Sequence, residues 1–414
     1  MRNTENLFNE NTYKKCLNMK HFSDKKLSFS IYKNATVLPY KKIELAAVGG
    51  GVVTNKGEYL ENTALHTKNG VGYDVLYKKE SSDKIIYLGM FTGVWGHCIT
   101  DNLRRLWFLK SKYYKENFIN YKLVYIAFPG FEFNDNFKTL LDIIGIDCSK
   151  FILINEVTEY DEILIPDESF YTLDGSARFF TKEYRSMINK IRQYGLNNQK
   201  ETSYDKVYFT YSKCSGYKQI GEYKLEHFFR KQGYKIIAPE QFSFKEQLNI
   251  LVSCKFFAST IGSCSHNIMF MQDGAQVILI PRANYLTGYQ LAIDEVSDLN
   301  INYIDSSLSL LVDKNCPWNG PFYYYISDKL YNFFGKSTKD SYFSYKDMHD
   351  FKRYMELCFM RNDLSDSKSI SYYSSVLMKC LQDYKRNSLS YRIKRKTKII
   401  ELKCLLINKI FHSK

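Results

Sequence analysis

Residues 254–280 read CKFFASTIGSCSHNIMFMQDGAQVILI. An apolar run at Lys255–Ser259 gives way to small and polar residues around Gly262. A helix-like stretch, Ser263–Gln272, follows, and then a second apolar run, Ala275–Ile280. Two strand-length apolar runs bridged by a helix predict parallel strands joined by a crossover, and their near-continuous apolarity predicts burial on both faces. The alternation extends outward. Upstream lie a strand at Lys206–Thr210, a helix at Glu222–Gln232 closed by Gly233, a strand at Tyr234–Ala238 and a helix at Phe244–Ser253. Ser243 and Glu246 have the spacing of a capping box at the start of that last helix. Downstream, a helix at Tyr285–Val296 and a strand at Ile301–Ile304 complete the unit.

The first half reads similarly, with strands at Lys84–Gly89, Tyr121–Phe128, Phe151–Ile154 and Glu162–Ile165. Helices are predicted at Val94–Tyr113, near Asn136–Ile144 and at Lys182–Tyr194. The expected fold class is α/β: two Rossmann-type halves meeting near residue 200 and facing a central cleft. Ligands in such sheets bind beyond the carboxyl ends of the strands. The expected domains are 1–200, 201–330 and a helical region at 331–414.

Composition narrows the function classes. With 414 residues, 45% hydrophobic, 25% charged and 7 Pro, the chain is neither disordered nor collagen-like. Most of the 35 Tyr and 29 Phe are then core filler. A net charge of +14 points to an anionic partner without choosing among nucleic acid, membrane and phosphorylated ligand. No apolar run is long enough to cross a bilayer, and the polar first thirty residues do not read as a secretory signal. The 10 Cys form no C-x-x-C pair and no zinc-spaced cluster, so reduced thiols in a cytoplasmic protein are expected. The tail from Tyr384 to Lys414 interleaves Lys and Arg with Ile and Leu, and its only acid is Glu401. It reads as a basic amphipathic helix, suited to an anionic membrane surface or to packing on the protein with a solvated basic face. No nucleic-acid module is recognisable, so nucleic acid is not an expected partner.

Three constellations carry chemistry. The first is GVWGHCITDNLRRLW, residues 93–107. On a helix, His97 and Asp101 share a face and Arg105 continues the row. His97 or Asp101 then suits a general base toward a hydroxyl, with Arg105 binding an anion or orienting Asp101. The same residues also suit a capping and salt-bridge set. The second is the turn at Gly262, Ser263, Ser265, His266 and Asn267. A helix start there would offer N–H groups, hydroxyls and a favourable dipole to a phosphate, although an ordinary Ser-capped turn looks the same. The third pairs Lys213, within reach of a diphosphate, with Glu222, able to accept from ribose or base groups. Alternatively these are a solvated lysine and a first-turn acid. No Asp-x-Asp occurs anywhere, so a leaving diphosphate would be neutralised without a divalent metal, by a helix start and basic side chains.

Together these blocks resemble glycosyltransferase family 61. GVWGHCITDNLRRLWFL resembles its His-x-x-x-Asp-x-x-x-Arg-Leu segment, KVYFTYSK with the following GEYKLEHFF its strand–Arg–(Asn-Glu)–helix stretch, and residues 254–280 its strand–small loop–Asn-x-x-Phe–Gly-Ala–strand. The likeness spans roughly 90–280. Here Lys213 stands for the usual Arg, Gly221 for the usual Asn, and Arg104 for a common Pro.

The resemblance implies a GT-B fold and an inverting glycosyltransferase using a nucleotide sugar, with capsule, O-antigen or lipopolysaccharide glycan as product. It places His97, Asp101 and Arg105 on the acceptor side. Lys213, Glu222, Gly262, Ser263, Ser265, His266 and Asn267 fall on the donor side. No metal or other cofactor is expected. The acceptor is expected to be lipid-linked, and the protein cytoplasmic and peripheral on the inner face of the membrane. The alternative is a catalytically lapsed protein of the same fold that binds nucleotide or glycan.

Overall fold

The computed structural model describes residues 2–6, 19–43, 48–64, 70–173, 177–199, 204–215, 219–282, 286–308, 320–336, 349–354 and 356–357. The basic tail at 384–414 lies outside the described residues. Among the described residues the fold is mixed α/β, built on two large sheets and two small ones.

The second half forms the expected parallel sheet. Its strands run in the order Lys235–Ile237, Lys206–Phe209, Phe256–Thr260, Gln276–Ile280 and Asn300–Ile304. The N-terminal strand Arg2–Asn6 adds in parallel to Asn300–Ile304 at the far edge. The chain moves outward one way from Lys206–Phe209 and then resumes on its other side at Phe256–Thr260. That reversal is a switch point, and it sets the carboxyl ends of these two strands side by side. Helix Glu222–Lys231 covers one face through Leu225, Phe228 and Phe229. Helix Phe244–Ser253 covers the other through Phe244, Leu248 and Leu251, and its Ser243–Glu246 capping box forms as the sequence predicts.

The first half departs from the expected parallel unit. The parallel strands Lys79–Phe91, Lys122–Ala127, Phe151–Leu153 and Thr158–Pro166 are present. They are extended by Phe29–Lys42, which runs antiparallel to both Thr158–Pro166 and Val48–Val53. Phe29–Lys42 buries only a short central stretch, Ala35–Leu38, so its sequence carries little strand signal. The two large sheets also share a core between them, besides a cluster that each keeps on its other face. One apolar cluster runs from Leu88, Leu123 and Leu164 through helices Asp135–Ile144, Lys182–Asn197 and Phe244–Ser253 to Phe257, Val277 and Leu279.

The helix predicted at Val94–Tyr113 is broken. Trp95–Cys98 is α-helical, turns lead to a tight helix at Leu106–Lys110, and helix resumes at Lys112. Every residue from Cys98 to Leu109 is buried, so no solvent-facing side remains for an amphipathic helix. Side chains bind the backbone instead. Thr100 Oγ1 donates to Gly96 O at 2.8 Å, Asn102 Nδ2 donates to Thr92 O at 3.0 Å, and Asn102 Oδ1 accepts from Thr92 N at 3.2 Å. Such local bonds compete with the helical ladder.

Candidate active site

The turn after strand Lys79–Phe91 packs on the turn after strand Phe256–Thr260. Trp95 Nε1 donates to Asn267 Oδ1 at 2.9 Å. Gly96 makes the approach possible, because a Cβ there would stand 2.8 Å from His266 Nδ1 and 3.1 Å from Ser263 Oγ. The first and second constellations of the sequence therefore meet in space.

His97 and Asp101 pair as their spacing predicts, with Nδ1 to Oδ2 at 2.6 Å. Asp101 is held on several sides. Thr100 Oγ1 donates to it at 3.1 Å, and the Tyr289 hydroxyl reaches both carboxylate oxygens at 3.0 Å. The Asp101 side chain is 5% exposed and that of His97 28%. The pair thus presents its imidazole outward and keeps its carboxylate inside. A histidine that donates Nδ1–H to a carboxylate carries its basic lone pair on Nε2.

Tyr289 organises this centre. Its ring meets His97 edge-on at 5.3 Å and stacks near His266 at 6.3 Å, and the Arg178 guanidinium lies 4.4 Å from its centroid. Burial, and then the charge of Asp101, hold the phenol far above its ordinary pKa, so it acts as a donor. Burial, followed by the proximity of His97, lowers His266 to about 3, so this imidazole is neutral.

Arg105 does not continue the His97–Asp101 row. The chain turns between Ile99 and Arg105, and Arg105 is carried to Glu168 at 3.0 Å, to Pro166 O at 3.1 Å and to Asn62 O. Arg104 shares the same carboxylate at 3.2 Å. Arg105 has no exposed surface, and burial lowers its guanidinium to about 10. The expected anion-binding or Asp101-orienting role does not fit this placement.

The Gly262 turn also differs from its sequence reading. The helix there is a single turn, Ser263–His266, and its donors are largely used within the protein. Cys264 N–H donates to the Tyr211 hydroxyl at 2.6 Å, Gly262 N–H to Ser265 Oγ at 2.9 Å, and His266 N–H to Gly262 O at 3.2 Å. Ser265 is buried and donates to Gln290 Oε1 at 2.5 Å, while Asn267 Nδ2 donates to Cys264 O at 3.1 Å. Ser265 and Asn267 therefore shape the turn. Ser263, partly exposed, is better placed to meet a ligand.

Lys213 is exposed on the short helix Ser212–Ser215 beyond strand Lys206–Phe209. Glu222 is buried. Its Oε1 accepts from the Tyr208 hydroxyl at 2.8 Å, and its Oε2 has no hydrogen-bond partner among the described residues. Burial raises its carboxyl to about 7, against the opposing Tyr208 hydrogen bond and the Arg282 charge.

Three residues of this region were not singled out from the sequence: Tyr289, Arg178 and Arg282. Arg282 follows strand Gln276–Ile280, with its guanidinium 4.0 Å from the Tyr211 centroid and 4.9 Å from that of Phe322. Its Nε and Nη2 are buried without a hydrogen-bond partner among the described residues. The Pro-Arg step after an apolar strand was the available signal, since it falls at a carboxyl end. Tyr289 and Arg178 stand outside any motif and gave none. Of the thiols, Cys98, Cys254 and Cys264 are buried, and burial raises Cys98 and Cys254 to about 12, which keeps them protonated.

Residues 95–278 match the family described as Glycosyltransferase 61. The matched span holds His97, Asp101, Lys213, Glu222 and the Gly262 turn, and it ends just short of Arg282. A comparison with curated proteins found no match. The matched region is thus similar to a glycosyltransferase domain, and its blocks are those that the fold brings together.

Proposed function

We propose that this protein is an inverting, metal-independent glycosyltransferase in which His97 is the general base and Asp101 holds it. The 2.6 Å His97–Asp101 contact, with the imidazole as the more exposed partner, carries this reading. The sequence left the base open between the two. The carboxylate accepts from His97, Thr100 and Tyr289, so its oxygens are committed to positioning. His97 Nε2 would take the proton of an acceptor hydroxyl as its oxygen attacks the anomeric carbon. The bond from that carbon to the diphosphate oxygen breaks on the opposite face, and one direct displacement inverts the centre. Asp101 supports the imidazolium that forms. The leaving diphosphate faces the strand ends of the parallel sheet, where Lys213 and Ser263 stand and where Glu222 suits the ribose. The absence of any Asp-x-Asp supports metal independence.

The acceptor is proposed to be a growing bacterial surface glycan on a lipid carrier, at the inner face of the membrane, with the basic tail as contact. Among the described residues no helix is long and apolar enough to cross a membrane. Deleting 385–414 should release the protein from anionic vesicles, and unchanged sedimentation with vesicles would remove the tail from this role.

The test of the reaction is release of nucleoside diphosphate from a panel of nucleotide sugars, with and without EDTA. Release from one donor that survives EDTA is expected. Loss with EDTA would overturn metal independence. Nucleotide binding without turnover on any donor or acceptor glycan would favour the lapsed protein, a reading motivated by the inward-directed donors of the Gly262 turn.

A further inference from the structure

Arg282 stands where two strand ends converge. It follows Gln276–Ile280 and lies against Gly262, which follows the neighbouring strand Phe256–Thr260. The approach is close, because a Cβ on Gly262 would be 2.7 Å from both Cζ and Nη2 of Arg282. Gly262 also has φ +149°, a backbone conformation that side chains rarely adopt. The Tyr211 and Phe322 rings hold the plane of the guanidinium. That leaves the edge formed by Nε and Nη2, which offers two parallel N–H donors. Both nitrogens are buried and neither has a hydrogen-bond partner within bonding distance among the described residues, although the Tyr324 hydroxyl lies near the guanidinium. Buried donors of a charged group are rarely left unmet, so the edge is an unfilled half of a bidentate contact.

Three features of the surroundings identify the other half. The switch point between Lys206–Phe209 and Phe256–Thr260, where ligands of such sheets sit, adjoins these strand ends, and Tyr211 beyond Lys206–Phe209 packs on Arg282. The side-on fork of an arginine matches two oxygens of a phosphate. Glu222, whose carboxyl also lies among these strand ends, has one oxygen buried without a hydrogen-bond partner among the described residues, and burial favours its neutral form. With its carboxyl raised to about 7, it cancels the positive charge only in part near neutral pH.

We propose that Arg282 binds the diphosphate of the nucleotide by its Nε–Nη2 edge and is the principal cation of the donor site, ahead of Lys213. The proposal rests on the transferase reading above. It adds a residue beyond the family-matched span, and it accounts for an anion site at a turn whose own N–H groups are largely spent. Lys213, exposed and without a fork, then supplies a screened charge at the rim.

The test is calorimetric titration of the full chain with UDP, GDP, CDP and ADP, and with the corresponding nucleosides. Wild type, Arg282→Met, Arg282→Lys and Lys213→Met are compared after their melting temperatures have been checked. Arg282→Met should weaken the preferred nucleoside diphosphate about 10- to 100-fold, the scale of hydrogen bonds to a charged group, and leave nucleoside binding unchanged. Arg282→Lys should lose about 10-fold, because the charge remains and the fork does not. It serves as the reading if the Met variant does not fold. The inference is overturned if a folded Arg282 variant binds the diphosphate within about twofold of wild type, or if Lys213→Met costs more than Arg282→Met. A wild type that binds none of the four nucleotides would instead bring down the transferase reading, and this inference with it.

Discussion

Asp101 illustrates how spacing can place an acid without assigning its role. Its four-residue offset from His97 places the two groups together, and their 2.6 Å contact agrees. On the proposed mechanism the surrounding donors make it the orienting group. Asp101→Asn should therefore lower turnover about 10²- to 10⁴-fold while leaving nucleotide affinity intact, read from initial rates beside calorimetry. Near-normal turnover would remove Asp101 from the mechanism. Glu222 gives a prediction at the same scale. Its carboxyl rises from 4.5 to about 7 on folding, so the folded state holds the proton more tightly. The resulting stabilisation is complete below about pH 4.5 and is lost as pH climbs through 7. Glu222→Gln, which cannot ionise, should melt like wild type at acid pH and higher than wild type in mild alkali, by on the order of 3 kcal/mol at most. Equal destabilisation at both pH values would contradict this account.

At the scale of elements, legibility followed how local each signal was. Helix Phe244–Ser253 was readable because its capping box is a four-residue motif, and Ser243→Ala should cost about 1 kcal/mol in denaturant unfolding. The segment at 99–110 was not readable as what it is. Its apolar residues fit a helix, but complete burial and side-chain bonds to the backbone break the ladder. Arg105 is consequently directed toward Glu168, which no spacing rule could supply. Gly221 is a third case. It stands where the resembled family usually has Asn, and it has φ +87° with a Cβ position that would overlap the Tyr324 carbonyl. Asn tolerates positive φ but not that overlap, so glycine here is a packing requirement. Gly221→Ala should destabilise the protein measurably in thermal melts, and an unchanged melting temperature would show that strand Phe322–Tyr324 yields easily.

At the scale of the whole molecule, the parallel sheet was legible from its alternation of apolar runs and helices, and with it the strand ends that carry Glu222, the Gly262 turn and Arg282. The mixed N-terminal sheet was not, because Phe29–Lys42 buries only Ala35–Leu38 and its partner Thr158–Pro166 is remote in sequence. Nor does sequence show that the two sheets share one apolar core through three helices. That shared core fixes the His97 turn against the Gly262 turn, and the Trp95–Asn267 hydrogen bond is the polar part of the junction. Trp95→Phe should keep the packing against Phe244 and lose the bond, lowering turnover about 10-fold through misalignment with little change in nucleotide affinity. A loss confined to nucleotide affinity would place Trp95 in the donor site instead.

The central claim is that His97 draws the proton of the acceptor during sugar transfer. It is tested most directly by following nucleoside diphosphate release from the preferred donor, with acceptor and EDTA present, for wild type and His97→Ala in parallel. The account predicts steady release by wild type and background release by the variant, with nucleotide binding equal in the two. Turnover by a folded His97→Ala protein at a rate close to wild type would contradict it.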